Sequence, residues 1–152
     1  GSVETMLTPG KYAAEAMREF GVKGATDVTG FALLGHAWEM ACASKVRIEI
    51  DAGAVPLLNG AVELAGQGML TSGDKTNREY VGGDIEIESS VDQNLVKLLF
   101  DPQTAGGMLI AVSENQSEAL LAVLKQNYPQ AQMIGRILPS GPRSIVVTGR
   151  AK

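Results

Sequence analysis

Leu98-Leu99-Phe100-Asp101-Pro102-Gln103-Thr104-Ala105-Gly106-Gly107-Met108-Leu109-Ile110-Ala111-Val112 interrupts an apolar run with an acid, a proline and two glycines, then starts an apolar strand at once. The backbone between must turn tightly and leave several N–H groups without ladder partners. Such groups, with a Thr hydroxyl and a carboxylate beside them, can hold a phosphate and its magnesium. Working outward, residues 91–100 read as a short helix and residues 108–112 as a buried strand. Ser113 and Gln116 form a capping box for a helix running to about Asn127. Strands follow near residues 132–138 and 144–148, with a turn at Gly141-Pro142.

Upstream, Thr8-Pro9 has the form of a helix start, Thr as N-cap and Pro at the first helical position. Tyr12, Ala16, Met17 and Phe20 then recur at helical spacing, and Gly21 closes the segment. Residues 23–28 read as a loop. A second helix covers residues 30–44, with Phe31, Leu34, Trp38, Ala41 and Cys42 on one face. Val46-Arg47-Ile48-Glu49-Ile50 alternates strictly and predicts a strand with one wet face. Pro56 opens a third helix, with Leu58, Ala61, Val62 and Ala65 inward and Gly68 as its stop. Residues 71–77 form a polar loop, and Ile85-Glu86-Ile87-Glu88 alternates again. Helices packed on a mixed sheet, an α+β arrangement, satisfy this order of elements.

The 152 residues suffice for one domain with a core. A net charge of −4 without any Lys/Arg cluster argues against a nucleic-acid binder. No apolar run reaches the length of a membrane span, and no signal peptide is visible. The single cysteine, Cys42, cannot form an internal disulfide and reads as a small buried hydrophobe, which together with these absences predicts a cytoplasmic protein. Gly1-Ser2 reads as an expression scar and is set aside, leaving one domain over residues 3–152.

Two loops share a grammar. Thr26-Asp27-Val28-Thr29-Gly30 precedes a helix, and Asp101-Pro102-Gln103-Thr104-Ala105-Gly106-Gly107 precedes a strand. Each places an acid, then a Thr, then glycine. Asp ligates hard cations, and a helix N-terminus offers N–H donors to an anion. Capping explains Asp27 equally simply, and the residues alone favour it; Asp101, with a proline and a double glycine, exceeds what a turn needs. His36, two helical turns beyond Thr29, suits a general base or phosphate contact, though a hydrogen-bonded structural histidine is the commoner outcome of such spacing. For Asn77 and Arg78, a loop closing over a ligand and a solvated connection stand level. Tyr12, Trp38 and Phe20 read as core. Zinc spacings, a Walker A sequence and a nucleophile elbow are all absent from the sequence.

These motifs resemble the C-terminal domain of the selenophosphate synthetases (selenide, water dikinases), relatives of aminoimidazole ribonucleotide synthetase, thiamine monophosphate kinase and the hydrogenase maturation carbamoyl dehydratase. Four stretches carry the resemblance: residues 25–36, residues 55–61, the 73–81 loop and residues 99–107. It implies a layered α/β/α domain with helices on a mixed β-sheet. It also implies an ATP-dependent synthesis of selenophosphate from selenide, with release of AMP and phosphate. Asp27 would ligate Mg²⁺ near the ATP phosphates. Asp101, Thr104, Gly106, Gly107 and Asn77 would line the same cleft. The partners implied are the chain's own N-terminal domain, ATP and selenide, and a second copy in a full-length homodimer; nucleic acid and membrane are not expected. The catalytic Cys/Lys pair would lie in the N-terminal domain, absent from these residues, so the isolated chain is expected to be inactive. Ala32 stands where the family has Gly, and Ala105 where it has Ser. The 74–75 region lacks an expected Gly-Thr-Arg run. A non-catalytic module that binds a phosphorylated ligand or docks on a partner is the alternative, as is another ATP-dependent member of the same superfamily.

Overall fold

A computed structural model describes residues 10–149; the Thr8-Pro9 helix start lies outside them. In chain order the elements are α1 (Lys11–Glu19), β1 (Gly24–Asp27), α2 (Ala32–Ser44), β2 (Val46–Asp51), a 3-10 turn (Ala52–Ala54), α3 (Ala61–Gly66), α4 (Gly73–Val81), β3 (Ile85–Ile87), α5 (Gln93–Leu99), β4 (Met108–Ala111), α6 (Glu114–Lys125), β5 (Gly135–Pro139) and β6 (Ile145–Thr148). Helices pack on a mixed sheet, as the sequence predicts.

Four strands form the main sheet in the order β3-β6-β2-β5. β6 runs parallel to both β3 and β2, whereas β5 is antiparallel to β2. The last two strands are therefore not a hairpin, because β2 lies between them. β2 keeps its alternation, with Ile48 and Ile50 buried and Arg47 and Glu49 on the wetter face. All four residues of β6 are buried, the mark of a central parallel strand. Leu34, Ala37 and Ala41 of α2, Val81 of α4, and Val96 and Leu99 of α5 join Ile48, Ile50, Ile145 and Val147 in one core.

A separate two-stranded ribbon pairs β1 with β4, Gly24 opposite Ala111 and Asp27 opposite Met108. Residues 23–28, expected as a loop, thus contain a strand. Gly24-Ala25-Thr26-Asp27 has no apolar alternation to announce it, and the pairing with β4 imposes its extended form. β4 is less buried than expected, with Met108 39% exposed.

Other expectations need correction. Residues 73–81 form a helix, not a polar loop; its outer face is stitched by Asp74–Arg78 and Lys75–Glu79 pairs at i,i+4 spacing. The third helix begins at Ala61 because Gly60, at φ +82°, takes a left-handed turn that Pro56 does not bypass. Leu58, expected inward, is 51% exposed. Cys42 is exposed, its thiol 3.9 Å from the Ser144 hydroxyl. Tyr12 is 47% exposed, because α1 buries the Ala13 and Ala16 edge against its neighbours. The Ser113 hydroxyl meets the Gln116 side chain at 2.7 Å, without capping a backbone N–H.

Candidate functional site

Pairing of β1 with β4 brings the two motif loops to one end of the ribbon. Val28 N–H donates to the Gly107 carbonyl at 2.9 Å, Gly106 N–H to the Val28 carbonyl at 3.0 Å, and Gln103 N–H to the Thr29 carbonyl at 3.0 Å. The loops are therefore zipped together beyond the strands. Gly106 is required by contact, because a Cβ there would overlap the Val28 carbonyl oxygen. Gly107 carries no such constraint and is exposed.

Asn77, 3% exposed, projects from α4 into the seam. Its Nδ2 donates to the Gly30 carbonyl and to the Phe100 carbonyl, both at 3.0 Å. One buried amide thus ties the start of α2 to the end of α5. The neighbouring Arg78 binds Asp74 through Nε at 2.9 Å and lies 4.5 Å above the Phe100 ring. Both residues act within the fold, the first as a staple and the second as a clamp.

The Asp101 carboxylate accepts from the Thr71 hydroxyl at 2.7 Å and from the Thr71 N–H at 3.2 Å. It fixes the chain entering α4, a role that the turn sequence did not announce. The Asp27 carboxylate, at the end of β1, is exposed, and no hydrogen bond or ion pair among the described residues occupies it. Thr104 is exposed in the second loop.

Among the described residues no group of three His, Cys, Asp or Glu side chains could hold a metal ion. Asp27 alone fits a single hard oxygen ligand, so any cation here needs further ligands from outside these residues. Ala32, where the resembled family has Gly, sits at φ +60°, the left-handed region that costs a side chain about 1–2 kcal/mol. Backbone geometry, beyond side-chain size, is the reason glycine suits that position.

Behind the first loop, His36 reaches Thr29 Oγ1 at 3.1 Å and Glu39 Oε2 at 3.0 Å. Tyr80 donates to Glu39 Oε1 at 3.0 Å, and that bond, foremost, raises the phenol above its ordinary value. Phe31 stacks on Tyr80 with ring centroids 4.5 Å apart, and Trp38 meets Tyr80 edge-on at 5.1 Å. The Trp38 indole donates to Asp84 at 2.9 Å; hydrogen bonds from Ser144, then from Trp38, hold the Asp84 carboxyl below its usual range. Sequence reasoning missed Glu39, Tyr80 and Thr71. Glu39 alone had a signal, three residues after His36 on one helical face.

Residues 2–147 match the family described as AIR synthase related protein, C-terminal domain. The chain is 42% identical over 146 residues to a protein named selenide, water dikinase from Clostridioides difficile (strain 630), a match covering 95% of this chain and 42% of that relative. A protein of the same name from Caldanaerobacter subterraneus subsp. tengcongensis is 44% identical over 137 residues, covering 90% of this chain and 40% of the relative. One from Nitratidesulfovibrio vulgaris (strain DSM 19637 / Miyazaki F) is 41% identical over 139 residues, with the same 90% and 40% coverage. The chain spans about two fifths of the length of these curated relatives. No described helix is long and apolar enough to cross a membrane.

Proposed function

The chain belongs to the AIR synthase related protein family through its C-terminal domain, and from that premise we propose that it is the C-terminal part of an ATP-dependent selenophosphate synthetase. Relatives named selenide, water dikinase support the substrate class. The single observation that carries the reading is the zipped pair of loops with the Asp27 carboxylate standing free at their edge.

The work of these residues is to hold and orient. The backbone bonds between the loops fix the two motifs as one rigid edge, and Asn77 keeps that edge in register with α4. Asp27 would hold Mg²⁺ through one carboxylate oxygen, and the metal would supply positive charge against phosphoryl oxygens. Thr104 and Gly107 are both exposed in the second loop, where ATP phosphates would pass. Catalytic nucleophile and nucleotide clamp belong to the N-terminal domain of the full-length protein, a cytoplasmic enzyme that pairs as a homodimer.

Phosphorus NMR of ATP, Mg²⁺ and selenide under anaerobic conditions tests this. The chain alone should make no selenophosphate, and addition of the matching N-terminal part should restore it. Asp27→Ala should lower that rate about 100-fold or more, as loss of a charge-positioning group does. A complex shown to form that makes no selenophosphate would overturn the reading and favour a non-catalytic binding module.

A further inference from the structure

Four polar side chains run in series behind the first loop: Thr29, His36, Glu39 and Tyr80. His36 is 9% exposed and both its ring nitrogens are engaged, so it presents no free nitrogen to an anion. The Phe31 ring covers one side, edge-on with centroids 5.6 Å apart. The Thr29 main chain is equally fixed, since its carbonyl accepts from Ala32 N–H at 2.9 Å and from Gln103 N–H at 3.0 Å. Neither the side chain nor the backbone of Thr29 is left to drift.

The chemistry of the series sets a direction. A carboxylate only accepts hydrogen bonds. His36 Nδ1, facing Glu39 Oε2, must therefore carry a hydrogen. In the neutral ring Nε2 is then a lone pair, and the Thr29 hydroxyl is its donor. With that ring neutral, the one hydroxyl hydrogen points inward, and only oxygen lone pairs face anything approaching from the loop side.

We propose that Thr29 is an acceptor in the phosphate cleft, positioned by His36 through Glu39 and Tyr80, and that it takes a water molecule in preference to a phosphate oxygen. A threonine with a free hydroxyl hydrogen would turn it toward the nearest phosphate. This one is held so that it meets a hydrogen-bond donor, and water is the donor that a reaction hydrolysing a phosphoanhydride consumes. His36 is a positioning residue. The proposal rests on the ATP-dependent reading above and assigns the water side of that cleft to Thr29.

The chain has one histidine, so an imidazole nitrogen-15 spectrum at neutral pH reports His36 without assignment. The expected result is a hydrogen on Nδ1 alone, with the Nε2 resonance moving in Thr29→Val. A hydrogen on Nε2, in either charge state, overturns the proposal, because the Thr29 hydrogen is then free. In the full-length protein, Thr29→Val and His36→Ala should each lower kcat about 10- to 100-fold with the KM for ATP unchanged. His36→Gln, whose amide oxygen can accept from Thr29, should recover most of the loss, and the double variant should be no worse than Thr29→Val. A raised KM with unchanged kcat, or no recovery by Gln, overturns the proposal. If His36→Ala does not fold, Thr29→Ser decides, keeping kcat where Thr29→Val loses it. A wild-type protein that makes no selenophosphate defeats the enzymatic reading, while the spectrum still decides which way the hydroxyl points.

Discussion

The four-stranded sheet and the β1–β4 ribbon lie in one domain and are held by different forces. The sheet is held by an apolar core in which Leu34 and Leu99 from the helices meet Ile50, Ile145 and Val147 from the strands, all nearly inaccessible to water. The ribbon has two short strands with mixed exposure, and two strands alone are marginal in water. What fixes it is polar and local: three cross-loop backbone bonds, the close approach at Gly106 and the Asn77 amide. The motif loops thus stand on the part of the molecule whose shape depends on individual hydrogen bonds, while the apolar core supports it from behind.

The largest expected effect lies in the core packed on the sheet, where Leu34 of α2 sits. Leu34→Ala removes a fully buried side chain and should cost about 2–5 kcal/mol by chemical denaturation. It should lower protection throughout the molecule; selective loss at the ribbon would break the contrast. Asn77→Ala leaves the Gly30 and Phe100 carbonyls without a buried partner and should cost about 2–4 kcal/mol. Its signature in hydrogen exchange should be early opening of the Val28 and Gly106 amides relative to those of β6. Gly106→Ala forces the loops apart and should cost about 1–3 kcal/mol, as overpacking does. The amide resonances of residues 28–31 should shift with it, and unchanged resonances would show that the zip tolerates a methyl group.

The smallest effect is a pH dependence at the end of the sheet where β3 and β6 begin. Asp84, held below its ordinary 3.8 by Ser144 and Trp38, contributes stability above that value. That contribution falls away as acid takes the pH down through the lowered folded value. Asp84→Asn should flatten the acid limb of a Tm-against-pH curve below about pH 4 while leaving its slope near neutrality unchanged.

The sheet was more legible in sequence than the ribbon for the same physical reason. Alternation in Val46-Arg47-Ile48-Glu49-Ile50 reports one buried face, and β2 follows it. β1 has no such record, because its extended form comes from β4 across the pair. α4 was hidden because its outer face is charged; only Asn77 and Val81 are buried, too sparse a pattern for a helix signal. In the candidate site, both loops were legible from their acid, Thr and glycine order. The tie between them was not, because hydrogen bonds to carbonyls leave no trace in residue type. Cys42 was misread for another reason: α2 carries apolar residues around much of its circumference, so spacing alone does not choose the buried edge.

β6 is the last described strand in chain order and yet lies between β3 and β2. Both neighbours leave the ribosome long before it, each with an inner edge of unpaired N–H and C=O groups. Those two edges face a gap that only residues 145–148 can fill. Assembly of the main sheet therefore waits on its latest segment, whereas the ribbon has both its strands once residue 111 is made. Long-range parallel pairing of this kind is slow, and unfilled edges attract other chains in the interval. The domain's period of greatest vulnerability during synthesis falls after the ribbon's strands are complete and before the centre of its sheet arrives.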